Sequence, residues 1–149
     1  MPNGNNQLVV FRVGGEFYGV PISMVHEIIR TVQTSKIPQM PQFMKGVTNL
    51  RGKITAIYDL GELFGMGKRL YDEEAKIIVT NKEKAGFIVD EVKEIIHIVD
   101  EDFESFEGAD AGAGSNLVEG FYKTNDNVIT VLNLENFKES KEYEKNAKN

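Results

Sequence analysis

Apolar residues along this chain come in short, crowded runs broken by glycine, proline and charge. Gln7 to Val13 (QLVVFRV) is dense in β-branched and aromatic side chains, the composition of a strand buried on both faces. Gly14-Gly15 follows, then Glu16 to Ile22 (EFYGVPI). Two strand-like runs around a Gly-Gly pair predict a hairpin, because tight hairpin turns need positive φ. Pro21 has no N–H to give a ladder, so the second strand ends there or lies at an edge. From Ile22 the spacing turns helical. Ile22, Val25, Ile28 and Ile29 predict a short helix of two turns at most, with Glu27 on the adjoining polar side. In Lys36 to Phe43 (KIPQMPQF) two prolines exclude regular helix and favour an extended segment.

The same texture continues. Gly46 to Leu50 (GVTNL) and Lys53 to Leu60 (KITAIYDL) predict strands around a tight turn at Arg51-Gly52, with Ile54, Ala56, Tyr58 and Leu60 sharing one face. Gly65 to Glu74 is glycine-rich, then charged, and reads as a connector. Lys76 to Thr80, Ala85 to Asp90 and Glu94 to Val99 are three further strand candidates. Asp100 to Glu119 holds seven acidic residues and no basic one, and reads as a solvated loop. Residues 121–125 and 127–134 make a final hairpin. The tail from Lys138 alternates Lys and Glu with little to bury, which predicts a frayed helix or disorder.

The order of elements repeats. VHEII at Val25 to Ile29 returns as VKEII at Val92 to Ile96, an offset of 67 that also carries Gly19 onto Gly86. Further on the offset is 74: Gly46 falls on Gly120, and ITAIYDLGEL from Ile54 overlays VITVLNLENF from Val128. The acidic loop absorbs the difference. Each half offers about five short, closely spaced strands, the pattern of a small antiparallel barrel.

Composition narrows the chemistry. At 149 residues, with 41% hydrophobic and 27% charged residues, the chain is long enough for one globular domain. It has no cysteine, which removes disulfides, thiolate catalysis and cysteine-bound metal. A net charge of -6 runs against nucleic acid as a partner. No basic leader and no apolar run of ~18 residues is present, so a soluble, unexported chain without membrane insertion is expected. The two histidines, His26 and His97, lack partners at metal-ligand spacing; His26 is expected to make a surface hydrogen bond beside Glu27, and His97 to point outward. No phosphate-binding, nucleophile-elbow or EF-hand pattern occurs. No enzyme activity, cofactor or metal is expected.

Two charged residues stand apart. Glu27 sits in an apolar neighbourhood, and Arg51 at the tip of a turn, where a guanidinium is well placed for a bidentate carboxylate contact. Both can be ordinary exposed charges, they can pair with each other, or Arg51 can meet a partner's carboxylate. The pattern alone leaves all three open.

Tyr18 to Arg30 (YGVPISMVHEIIR) and Ile37 to Gly65 (IPQMPQFMKGVTNLRGKITAIYDLGELFG) resemble the chemotaxis coupling proteins, the CheW-like family. The second half is similar but looser, and the likeness covers about residues 7 to 137. Pro21 departs from the family, which often has Asp there. The resemblance implies a mainly β fold: two five-stranded SH3-like barrels packed on a shared core, with short helices. It implies one CheW-like domain over 1–149, with halves at about 7–65 and 75–137 and a tail at 138–149. It further implies a non-enzymatic, cytoplasmic adaptor, recruited to membrane receptor arrays, that joins chemoreceptor tips to the histidine kinase CheA. In the family, the positions of Val25, Glu27, Gly46 and Arg51 are associated with coupling.

Alternatives differ in class. One is a same-fold adaptor for another receptor–kinase pathway, such as surface motility. Another is a small-ligand sensor or enzyme on a β-barrel. A nucleic-acid-binding barrel is opposed by the charge.

Overall fold

The computed structural model describes residues 6–82, 85–106 and 114–137. In chain order the strands are β1 (Gln7–Val13), β2 (Glu16–Pro21), β3 (Val25–Arg30), β4 (Met44–Leu50), β5 (Lys53–Asp59) and β6 (Lys76–Thr80). They continue as β7 (Gly86–Val89), β8 (Glu91–His97), β9 (Phe103–Ser105), β10 (Val118–Lys123) and β11 (Val128–Leu132). One helical turn, α1 (Leu60–Leu63), follows β5. The fold is mainly β, in two sheets. One has six strands in the order β8-β1-β2-β11-β10-β9, the other five in the order β3-β6-β7-β5-β4.

The duplication is visible in the pairing. Each sheet contains one parallel join, Gly19 opposite Val131 in one and Gly86 opposite Ile57 in the other. These are the glycines related by the offset of 67 and the partners related by 74. The sixth strand, β9, has as its counterpart only a bridge between Ser35 and Val47.

The strands are not shared out as the halves 7–65 and 75–137. β1 and β2 join β8 to β11, while β6 and β7 join β3 to β5. Each unit therefore borrows its central hairpin from the other stretch of chain. Sequence order alone cannot show this, because a repeat fixes equivalence and not which copy an element pairs with.

Three other expectations are corrected. The helix from Ile22 is a 3-10 turn over Ile22–Met24, and then Val25 enters β3. Val25, Glu27 and Ile29 point inward, while His26, Ile28 and Arg30 are exposed. A charged residue at an inward position breaks the apolar alternation, so the remaining apolar residues mimic helical spacing. In β5 Ala56, Tyr58 and Leu60 share a face on the common cluster as expected, but Ile54 leaves it at 71% exposed, and the opposite face is buried too, at Ile57 and Asp59. The acidic segment is not wholly loop. It contains a 3-10 turn over Asp100–Asp102 and then β9, paired with β10. Phe103 packs with the buried cluster of its sheet, and Phe106 meets Phe121 edge-on. Two aromatics suffice to anchor it despite the charge. Residues 107–113 and the tail from Lys138 lie outside the described residues.

Pro21 closes β2, as its missing N–H requires. The core has three parts. A shared cluster takes Val9, Phe11 and Val20 from the six-stranded sheet and Met44, Tyr58 and Phe87 from the other. Each sheet adds an inner cluster: Leu8, Val10, Ile129 and Val131 in one; Ile57, Ile77, Val79 and Ile88 in the other. Such a division is what two small barrels packed side by side produce.

Candidate functional site

The β4–β5 hairpin presents Arg51. Leu50 pairs with Lys53, leaving a two-residue turn in which Arg51 has φ 51° and Gly52 φ 86°. Positive φ at both central residues is the type I′ requirement. Asn49 steadies the turn, its Oδ1 accepting the Gly52 N–H at 2.9 Å. Glycine is thus not alone in supplying the unusual backbone; Arg51 itself takes a left-handed conformation that a Cβ disfavours.

From there the guanidinium reaches Glu27 on β3. Arg51 Nη2 donates to Glu27 Oε1 at 2.9 Å, and Nε to Oε2 at 3.2 Å. This is a bidentate fork: the two side chains pair with each other and are not independent exposed charges. The Arg51 side chain is 78% exposed and that of Glu27 only 19%. The bonds from Arg51 hold the Glu27 carboxyl below the usual carboxylate range. An exposed pair of this kind adds little to stability; what it fixes is the direction of the guanidinium. Beside it lies a pocket of about 170 Å³ lined by Glu27, Arg51, Leu50, Lys53, Thr55 and Val79. His26 Nε2 stands 3.9 Å from Glu27 Oε2, beyond hydrogen-bond reach.

The other two sequence candidates are placed differently. Val25 is half-buried at the start of β3, next to a bulge, and packs on the shared cluster. Gly46 is buried in β4 with φ 124°. A Cβ there would run into the Ser35 carbonyl, because the chain at Ser35 lies directly over it and pairs with Val47. Gly46 shapes the sheet beneath the hairpin rather than touching the pair.

The duplication supplies a residue that sequence reasoning passed over. Glu94 on β8 is the counterpart of Glu27, as the match of VKEII to VHEII already indicated. It lines the equivalent pocket of the second sheet, about 190 Å³, with Val10, Phe17, Lys93, Ile96 and Ile129. Asn125 takes the place of Arg51, so this copy is more apolar and carries no guanidinium fork.

A second polar cluster surrounds α1. Asp59 is buried at the helix N-terminus, with Oδ1 accepting the Glu62 N–H at 3.0 Å and Oδ2 accepting the Tyr71 hydroxyl. Glu62 pairs with Lys45 at 2.7 Å. Burial pushes both the Asp59 carboxyl and the Tyr71 hydroxyl above their ordinary ranges. Glu62 Oε1 is buried without a hydrogen-bond partner, and Tyr71 also lines a polar pocket of about 160 Å³ with Arg12, Leu70, Asp72 and Asp90. His97 is exposed, as expected. Among the described residues no group of three or more His, Cys, Asp or Glu is placed to hold a metal, and no helix is long and apolar enough to cross a membrane.

Comparison with known proteins agrees with this geometry. The model of the CheW-like domain matches residues 7–142. The chain is 30% identical to the chemotaxis protein CheW of Helicobacter pylori over 131 residues, 87% of this chain and 79% of that protein. It is 29% identical to the chemotaxis protein CheW of Treponema pallidum over 147 residues, 95% and 86% of the two chains. The crystal structure of the scaffolding protein TtCheW from Thermoanaerobacter tengcongensis superposes with a TM-score of 0.78 at 39% identity, covering 87% of this chain and 85% of that one. With its doubled sheets, its shared core and these relatives, the chain belongs to the CheW-like domain family of chemotaxis scaffolds and adaptors, which are not enzymes.

Proposed function

We propose that this chain couples the cytoplasmic tips of chemoreceptors to the histidine kinase CheA, working in the cytoplasm and drawn to membrane receptor arrays by those partners. The observation that carries the reading is the Glu27–Arg51 fork. A guanidinium that is mostly exposed yet held by two bonds is oriented before any partner arrives, which lowers the ordering cost of binding. It offers a fixed, planar donor to a partner's carboxylate or backbone carbonyl. Val25 and Gly46 support the site from the sheet: one where β3 begins, the other where β4 must let the Ser35 strand segment pass.

The test is a reconstitution with receptor-bearing vesicles, CheA and this chain. Receptor control of kinase activity that depends on adding the chain supports the proposal. Kinase activity indifferent to it, with neither partner co-sedimenting, overturns it.

A further inference from the structure

Asp90 stands where the chain leaves β7 in the five-stranded sheet and enters β8 in the six-stranded one. Its side chain is only 11% exposed. A single oxygen, Oδ2, accepts from Arg69 Nη2 at 2.5 Å, from the Gly14 N–H at 2.8 Å and from Arg12 Nη1 at 3.4 Å. The donors come from β1, from the β1–β2 turn and from the connector after α1. Arg12 also donates to the Gly14 carbonyl at 3.0 Å and to Glu91 at 3.5 Å. One carboxylate thus gathers three segments at the seam between the sheets.

The connector, residues 65–74, has no regular structure. Gly65 and Gly67 both take positive φ, 84° and 75°, and swing the chain away from α1. It is pinned by the Arg69 bond to Asp90 and by the Tyr71 hydroxyl on Asp59. Between the pins Leu70 is 95% exposed, and the apolar hold of the segment is limited to Met66 and Tyr71, which pack at the edges of two clusters. Below, the Arg69 side chain lies across Gly61 of α1, where a Cβ would come within 2.9 Å of Nε, and Met66 lies against Gly14.

We propose that residues 65–74 form a strap over the seam between the two sheets, kept shut by Asp90. The strap opens as a local unit, well before global unfolding, and its opening bares the Gly14 and Gly61 surfaces beneath. The physical basis is the contrast in what holds each part. The sheets are held by continuous apolar clusters, the strap only by Met66 and Tyr71 at the edges of those clusters, by the Gly65 and Met66 amides on α1, and by the polar contacts at Asp90 and Asp59. This device is independent of the coupling role.

Limited digestion with a lysine-specific endoprotease, read by mass spectrometry, tests it, with native-state hydrogen exchange at the Gly14 and Glu62 amides, which are bonded to Asp90 and Asp59. In Asp90→Asn, cleavage after Lys68 is expected to rise about tenfold or more, with circular dichroism unchanged, as removal of a charged hydrogen-bond partner implies. Arg69→Gln removes the other partner and must do the same; it decides the matter if Asp90→Asn does not fold. An unchanged rate after Lys68 in a folded variant overturns the proposal. So does exchange at Gly14 that occurs only with global unfolding.

Discussion

Gly46 and Gly120 hold the same station in the two sheets: each lies under a crossing backbone, Gly46 beneath the Ser35 carbonyl and Gly120 beneath that of Glu104. Both sit next to a bulge in the pairing of their strands, β4 with β5 and β10 with β11. At Gly120 the close approach alone excludes a side chain, while at Gly46 the positive φ of 124° excludes it as well. Gly46→Ala and Gly120→Ala are each expected to destabilise by about 2–4 kcal/mol, since backbone in the way cannot swing aside as a side chain can. Gly15, in the β1–β2 turn with nothing near its Cβ position, is the control, and Gly15→Ala should stay within about 0.5 kcal/mol. Urea denaturation of the three variants measures this; equal losses at all three would refute it.

Ile57 and Val131 face the two parallel joins and are both fully buried. Their clusters are small, so a deleted group leaves a cavity that few neighbours can fill. Ile57→Ala should cost about 2–5 kcal/mol, and Val131→Ala somewhat less, on the order of 1–3 kcal/mol. The same denaturation series reads both. A loss below ~0.5 kcal/mol at either would mean the residue does not pack as the pairing requires.

Strands bounded by glycine or proline were legible because the local signal and the tertiary role agree. Gly14-Gly15 marked the first hairpin, and Pro21 the end of β2. Where a residue serves the site, the local signal misleads. Glu27 occupies an inward strand position because Arg51 waits for it there, and the break it makes in the alternation reads as helix. The α1 turn had a readable start, Asp59 three residues before Glu62, but the apolar run of β5 continues through Leu60 and hides it. The pairing of Glu27 with Arg51 spans 24 residues, and only the fold brings the two together. Assignment of β1 and β2 to the second unit was out of reach for the same reason.

Asp59 should give stability a pH dependence of definite sign. Burial raises its pKa above the ordinary 3.8, helped by the nearby Glu62 charge and opposed by its bonds from Tyr71 and the Glu62 amide and by Lys45. A raised acid binds its proton more readily in the folded state. Its stabilising contribution is therefore complete below the unfolded pKa and is lost as pH rises through the folded one. Asn at this position keeps an acceptor for the helix amide and does not titrate. Relative to wild type, Asp59→Asn should gain stability as pH is raised from about 3 to about 7. Denaturation midpoints of both proteins across that range measure it, and a constant difference would contradict the expectation.

Arg51→Ala is expected to leave the fold intact and impair coupling. The side chain is mostly exposed, and the turn is held by Asn49 and Gly52, so thermal melting should barely change. Two readouts separate a functional role from an idle ion pair. The first is the Glu27 carboxyl. Arg51 lowers its pKa, so the pair is complete above the ordinary value of 4.5 and is lost as pH falls through the lowered one. In Arg51→Ala the titration midpoint, followed by NMR, should rise. The second is receptor-dependent kinase activity in the reconstituted system, expected to fall roughly tenfold or more if the guanidinium meets a desolvated partner. Arg51→Lys should restore the Glu27 midpoint in part but not the activity, because an ammonium lacks the planar fork. Full activity in a folded Arg51→Ala protein, with the Glu27 midpoint shifted as expected, would show that the fork forms without serving the partner.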